Sequence, residues 1–303
     1  MARKVSTNFP KRKAIFYDSD TPTTRYAHPH PHCAKLLTQS TISCTITTFL
    51  STSEFLLNLE QRQSSICRMS MNRSHPSMPQ GPKTVGSIAD ASLLDYPYSA
   101  DECEIVEFRL DGLLRNLEQV RNVLIKLKAS QLQTLITARC QSEGGLAPLT
   151  SEQRSQLIGG LSPLATFVDI ELANLAEMQP AADLARTNGA LVVASFHDFK
   201  KTPDTDFLRD KIRQAVDLGA DIVKMAVHHN SLDDMHRCAT LMQEGHPIGI
   251  SLMGMGTLAP VSRVLYSQLG SLLNYGYLGN KETAPGQWPA SLLSQAIRTC
   301  KPF

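Results

Sequence analysis

The sequence lacks the features that mark membrane proteins, nucleic-acid-binding proteins and disulfide-stabilised proteins. The apolar segment near the start, residues 41–59, is interrupted by serines, threonines and Glu54, which argues against a membrane span. The formal net charge of +2 is too small to form the basic surface that binds nucleic acid or an anionic membrane. The seven cysteines include no Cys-x-x-Cys pair, so we expect reduced thiols and no zinc site.

We expect no signal peptide, because residues 1–82 contain no charged segment that is followed by a long apolar one. We therefore expect a cytoplasmic protein, with an organelle address as the alternative. Residues 1–82 are rich in Ser, Thr, Pro, His and Gln and show no sustained periodicity, which predicts an extension of low order. Residues 83–303 have the regular pattern of a single folded domain.

This second part alternates short β-type runs with amphipathic segments, which is typical of βα units around a parallel sheet. The pattern predicts eight strands and at least seven helices, and therefore a (βα)8 barrel. The predicted strands are residues 83–88, 104–109, 133–139, 165–171, 190–196, 220–226, 247–253 and 271–276. A doubly wound open sheet is the alternative, but no Gly-x-Gly-x-x-Gly turn follows the first strand.

One lysine is out of place in this pattern. Lys224 lies inside an apolar β-type run, where a buried strand normally carries aliphatic side chains. Burial disfavours the charged ammonium and can leave an amine that attacks a carbonyl, so Lys224 is a candidate Schiff-base residue. The alternative is a lysine at a strand end whose amine reaches solvent.

Other polar residues fall at the predicted C-terminal ends of the strands, the face on which barrel enzymes carry their catalytic groups. Each alone is compatible with a solvated cap or half of an ion pair, but together they predict one site. They are Glu107, Arg109, Arg139, Glu143, Asp169, Glu171, His197, Lys224 and Arg263.

Seven segments around these residues resemble the type I 3-dehydroquinate dehydratases. They are 107–111 (EFRLD), 137–145 (TARCQSEGG), 168–171 (VDIE), 195–199 (SFHDF), 219–226 (GADIVKMA), 262–263 (SR) and 284–287 (APGQ). The resemblance covers residues 83–300 in order. It implies a (βα)8 barrel, commonly a homodimer, which uses no metal or organic cofactor. The implied reaction converts 3-dehydroquinate to 3-dehydroshikimate in the shikimate pathway of aromatic amino acid biosynthesis.

The resemblance also implies a role for each residue of the site. Lys224 forms an iminium with the substrate ketone, which acidifies the neighbouring C–H bond. His197 is then the general acid and base, and Glu143 orients it and raises its pKa.

The remaining site residues are expected to hold the substrate. Arg263 is the candidate for the substrate carboxylate, because a planar guanidinium matches that group. Glu107, Arg109 and Arg139 are expected to bind the ring hydroxyls, supported by Asp111, Asp169 and Glu171. Residues 279–288 are expected to form a closing loop from which Thr283 and Gln287 reach the substrate.

Two other functions remain open at this point. An aldolase-type barrel lyase would share the iminium lysine, and turnover of sugar phosphates would identify it. A non-catalytic barrel that binds a shikimate-type acid would bind ligand without turnover. The expected partner in each case is a small molecule, with no nucleic acid and no membrane.

Overall fold

The computed structural model describes residues 77–284 and 286–300. The prediction of a low-order extension therefore falls, for residues 1–76, outside the described part of the chain, and so does Pro285 of the predicted closing loop. No helix within the described ranges is long and apolar enough to cross a membrane.

Eight parallel strands form one sheet in the order β7-β6-β5-β4-β3-β2-β1-β8. The strands are β1 (Lys83–Ile88), β2 (Ile105–Arg109), β3 (Gln133–Thr137), β4 (Phe167–Glu171), β5 (Leu191–Asp198), β6 (Ile222–His228), β7 (Gly249–Met255) and β8 (Leu273–Tyr277). Each agrees with its predicted strand to within two residues at both ends, because continuous Val- and Ile-rich runs are buried on both faces of a parallel sheet.

The sheet closes between β7 and β8 through only a few hydrogen bonds. The Leu272 N–H donates to the Ile250 carbonyl at 2.9 Å, just before β8 begins. The Ser251 hydroxyl donates to the Leu273 carbonyl at 2.6 Å. The Ser271 hydroxyl accepts from the Leu252 N–H at 3.1 Å. It thus takes the place of the backbone carbonyl that would accept this N–H in a regular β-ladder. These contacts complete the (βα)8 barrel that the sequence predicted.

The helices surround the barrel. They are α1 (Leu117–Lys128), α2 (Ser151–Leu161), α3 (Leu172–Leu175), α4 (Gln179–Thr187), α5 (Thr205–Asp217), α6 (Leu232–Met242), α7 (Ala259–Gln268) and α8 (Ala290–Thr299). Side-chain caps fix several of their first turns. Thr150 and Gln153 form a capping box at α2, and Asp204 accepts the Phe207 N–H at the start of α5. The link from β1 to β2 carries only a short 3-10 turn, Ala91–Leu93.

Two apolar layers stabilise this arrangement. The outer layer lies between the sheet and the helices. The inner layer fills the barrel and includes Val85, Leu135 and Phe167, all fully buried. Met78 packs against this inner cluster from below, close to Gly249 at the start of β7. Because the inner layer fills the lower barrel with apolar side chains, the polar inward residues are concentrated at the C-terminal ends of the strands.

Candidate active site

A pocket with a cavity volume of about 110 Å³ opens at the C-terminal ends of the strands. The strand register explains its composition. Ser195 pairs with Lys224 and His197 with Ala226, so the two strands present alternate residues to the same interior. Nine of the predicted site residues line this pocket: Glu107, Arg109, Arg139, Glu143, His197, Lys224, Arg263, Thr283 and Gln287.

Lys224 is buried at the base of the pocket, with 4% of its surface exposed. Its Nζ donates to Asp169 Oδ2 at 3.0 Å and lies 4.1 Å from the ring centroid of Tyr275. Burial lowers the pKa of Lys224 below its usual value, while Asp169 and Glu107 oppose that shift. The amine therefore does not reach solvent as the alternative of a strand-end lysine required.

Asp169 has a more direct part than the sequence indicated. We expected it to support the site from behind, but it contacts both Lys224 and Arg139, whose NH2 group donates to its Oδ2 at 2.9 Å. The Ser195 hydroxyl donates to its other oxygen at 2.6 Å. Burial alone would raise the pKa of Asp169, but Arg139 and Lys224 together lower it well below its usual range. Asp169 is therefore an anion that holds Lys224.

The guanidinium of Arg139 donates its hydrogen bonds to other side chains of the protein. Its NH1 donates to Glu171 Oε1 at 3.0 Å and to the Ser195 hydroxyl, in addition to the contact of NH2 with Asp169. Only 2% of its surface is exposed. These contacts favour a positioning role for Arg139 over the expected binding of ring hydroxyls.

Arg154 on α2 belongs to the same network and was missed by sequence reasoning. Its NH1 donates to Glu171 Oε2, and the residue is 1% exposed. Charges therefore alternate from Arg154 through Glu171, Arg139 and Asp169 to Lys224. Helical position gave no signal for Arg154, because an arginine on an amphipathic helix is usually solvated.

His197 and Glu143 form a pair at the edge of the pocket. Glu143 Oε2 accepts the backbone N–H of His197 at 3.0 Å and lies 2.8 Å from its Nδ1. An oxygen that already accepts one N–H favours the tautomer in which Nδ1 carries the proton and Nε2 is an acceptor. Burial raises the pKa of Glu143 to about 7.

The net shift in the pKa of His197 is opposite to the increase expected from contact with Glu143. Burial and the nearby cations Arg139 and Lys224 lower the pKa of His197 well below its usual value. The imidazole is therefore a neutral base in this state. Phe199 stacks on the ring with a centroid distance of 6.1 Å.

Glu107 and Arg109 lie on the opposite wall, on β2. Glu107 accepts hydroxyl hydrogen bonds from Ser87 and from Thr137, the latter at 2.7 Å. Arg109 forms a two-point ion pair with Asp111, with N···O distances of 3.0 and 2.7 Å. Asp111 also accepts the Leu146 N–H, which ties Arg109 to the loop after β3.

Arg263 is on α7 and is 1% exposed. Its NH1 donates to the Tyr275 carbonyl, and its Nε is buried without a hydrogen-bond partner. Within the described residues it has no carboxylate partner, and burial lowers its pKa to about 10. An unpaired buried guanidinium is a site for an anion.

The predicted closing loop places Thr283 and Gln287 at the pocket. The backbone N–H and the hydroxyl of Thr283 donate to Gln287 Oε1 at 3.0 and 2.7 Å. Gly286 adopts a φ of 73° and approaches the Gly256 carbonyl so closely that a Cβ there would lie 2.3 Å from the oxygen. This close approach holds the loop against the turn that precedes α7.

Ser87, Thr137, Ser195 and Tyr275 also take part in the site and were not predicted. Each points inward from a strand and contacts a charged site residue. The sequence contained a signal for Ser87, Thr137 and Ser195, because each of them pairs with a predicted site residue on the neighbouring strand. Tyr275 gave no such signal.

Comparisons with known proteins agree with one another. A family model described as type I 3-dehydroquinase matches residues 85–302. The 3-dehydroquinate dehydratase of Methanococcus maripaludis strain C5 is 33% identical over 220 residues, which are 69% of this chain and 96% of that protein. That of Hydrogenobaculum is 30% identical over 203 residues, 66% of this chain and 90% of that protein. The crystal structure of 3-dehydroquinate dehydratase from Geobacillus kaustophilus superposes with a TM-score of 0.65 at 26% identity, covering 72% of this chain and 91% of that one.

We predict that His197 stays neutral at pH 6, because burial and two nearby cations lower its pKa. In ¹⁵N-labelled protein, its ring nitrogens should show the neutral pattern with Nδ1 protonated. His236, which is exposed on α6, is the reference in the same spectrum. At pH 8, where the Glu143 carboxyl is ionised in the wild type, the preference for this tautomer should weaken in Glu143→Gln, since the anionic acceptor is lost. An imidazolium signal from His197 at pH 6 would contradict the assignment.

Proposed function

The chain belongs to the type I 3-dehydroquinase family and dehydrates 3-dehydroquinate in the shikimate pathway, and we propose that it does so through an iminium on Lys224. The carrying observation is that Lys224 is buried in one pocket with the His197–Glu143 pair on the neighbouring strand. The family assignment decides against the aldolase-type lyase and the non-catalytic barrel.

The first half of the reaction makes the iminium. Lys224 loses a proton, its amine attacks the substrate ketone, and the resulting carbinolamine loses water to give a protonated iminium. Because burial lowers the pKa of Lys224, a larger fraction of the side chain is the neutral amine than for a lysine in water. Asp169 keeps the nitrogen in place during this step through its 3.0 Å contact.

The second half removes water from the carbon skeleton. His197 Nε2 takes a proton from the carbon next to the iminium, and the electron pair of the C–H bond moves into a neutral enamine. The enamine electrons then expel the hydroxyl, which accepts the proton from His197 and leaves as water. Hydrolysis of the conjugated iminium releases 3-dehydroshikimate and restores the amine. Glu143 fixes His197 in the tautomer that these reaction steps require, with the proton on Nδ1 and Nε2 free to act as the base.

The substrate is held by the polar walls of the pocket. We assign its carboxylate to Arg263, since this guanidinium is buried without an anionic partner. Glu107 and Arg109 are placed for the ring hydroxyls, and Arg139 acts mainly through Asp169. Thr283 fixes the amide oxygen of Gln287, which leaves the amide NH2 for a substrate oxygen. No metal or organic cofactor enters this chemistry.

The same family resemblance supports a homodimer, with residues 83–303 as the catalytic domain of each subunit. The described cysteines, Cys103, Cys140, Cys238 and Cys300, are free thiols, which supports a reducing compartment such as the cytoplasm. Light scattering of the purified protein and fractionation of the cells that make it would test these two assignments.

We expect borohydride to trap a reduced adduct on Lys224 when 3-dehydroquinate is present, because hydride reduces an iminium to a stable amine. Peptide mass mapping locates the adduct. Lys224→Met should give no adduct and lower kcat by more than about a thousandfold, since the nucleophile is lost. Lys126→Met on the exposed face of α1 is the control and should behave as the wild type. An adduct on another lysine would overturn the mechanism.

We expect Arg263→Met to raise KM by roughly a hundredfold with a smaller effect on kcat, because a charge-assisted carboxylate contact is lost. The folded protein should be as stable as the wild type or more so, since a buried unpaired charge is removed. Arg209→Met, which changes a half-buried arginine paired with Glu244 outside the pocket, is the control for steady-state kinetics and thermal denaturation. An unchanged KM would contradict the assignment of the carboxylate.

A further inference from the structure

The nitrogen of Lys224 has one contact that the mechanism above does not use. Besides Asp169 at 3.0 Å, it lies over the ring of Tyr275, 4.1 Å from the centroid. The two side chains come from β6 and β8 and meet inside the barrel. Both are at least 96% buried, with exposures of 4% each. A cation over an aromatic face is stabilised by the ring quadrupole, and the effect is largest where water is excluded.

We propose that Tyr275 is a positioning residue whose ring stabilises the positive charge on the Lys224 nitrogen, first as the ammonium and then as the iminium. This inference rests on the proposed Schiff-base function. Asp169 shares its negative charge between two cations, because the oxygen that accepts from Lys224 also accepts from Arg139 at 2.9 Å. The ring of Tyr275 adds a second source of stabilisation on the side of the nitrogen that faces β8.

The hydroxyl of Tyr275 is not what holds the ring in place. Its oxygen is buried and has no hydrogen-bond partner among the described residues. A buried polar group without a partner destabilises the folded state, so a phenylalanine should be tolerated at this position. Tyr275→Phe keeps the aromatic face and therefore separates the ring from the hydroxyl.

The backbone of Tyr275 has a separate role. Its carbonyl accepts the hydrogen bond from Arg263 NH1. Substitution of the side chain leaves this contact in place, so the anion site on Arg263 remains available in every variant. The other titratable groups that face Lys224 also remain: Asp169 on β4, Glu107 on β2, Arg139 after β3 and His197 on β5.

Loss of the ring in Tyr275→Leu should have two effects of opposite direction. The ammonium loses a stabilising contact, so the pKa of Lys224 falls and the pH at which its amine reacts moves lower by about one pH unit. The iminium loses the same contact, so above the pKa of Lys224, where the free amine is neutral, the trapped fraction falls from one half to about one tenth at the substrate concentration that half-labels the wild type. A folding defect would lower both the reactivity and the trapped fraction at every pH.

The experiment measures both quantities in the wild type, Tyr275→Leu and Tyr275→Phe. The pH dependence of carbamylation of Lys224 by cyanate, followed by peptide mass, reports the amine in the free enzyme. Borohydride trapping with 3-dehydroquinate reports the iminium. Tyr275→Phe should match the wild type in both assays and should unfold at the same temperature or a higher one.

The outcomes separate this inference from the function on which it rests. If the wild type itself gives no adduct on Lys224, the Schiff-base function fails. If the wild type is trapped and Tyr275→Leu shows the same pH midpoint and the same trapped fraction, only the role of Tyr275 is overturned. A loss in Tyr275→Phe as large as that in Tyr275→Leu would also overturn it, because the hydroxyl would then be the active group.

Discussion

The site depends on the burial of one amine between a carboxylate and an aromatic ring. A lone ammonium inside a protein is unstable, and Lys224 is tolerated because Asp169 and Tyr275 both contact it. Asp169 in turn needs Arg139, and Arg139 needs Glu171. The alternating charges keep the network close to neutral, so the pKa of Lys224 is lowered by burial without expelling the side chain from the barrel.

Two arginines show how context separates positioning from binding. Arg139 and Arg263 are equally inaccessible, with exposures of 2% and 1%. Arg139 donates to two carboxylates and a hydroxyl, and its charge is satisfied by the protein. Arg263 donates to a backbone carbonyl and has no anionic partner in the described residues, so its charge is left for a ligand. The same residue type therefore serves the scaffold in one place and the substrate in the other.

The barrel accounts for why these groups meet. Parallel strands in register present every second side chain to the interior, and the lower layers are filled with aliphatic and aromatic residues. Polar groups are thus confined to the upper ends, where His197 stands one inward position above the level of Lys224 on the neighbouring strand. The neutral imidazole and the buried amine then share one water-poor pocket, in which neither needs the other to be charged.

The sequence by itself determined the eight strands, the barrel and the residues around the pocket, because each depends on local periodicity and on the placement of a residue at a strand end. It pointed to Lys224 and His197 since a lysine in an apolar strand and a histidine at a strand end stand out against their neighbours. Only the tertiary structure decided the partners: Asp169 on Lys224, Arg154 on Glu171 and the ring of Tyr275 over the amine. It also reversed the expected shift in the pKa of His197. The two hydrogen-bonded pairs among these contacts join residues that are 17 and 55 positions apart in the chain. The energies of such contacts depend on burial and distance, which no local sequence pattern encodes.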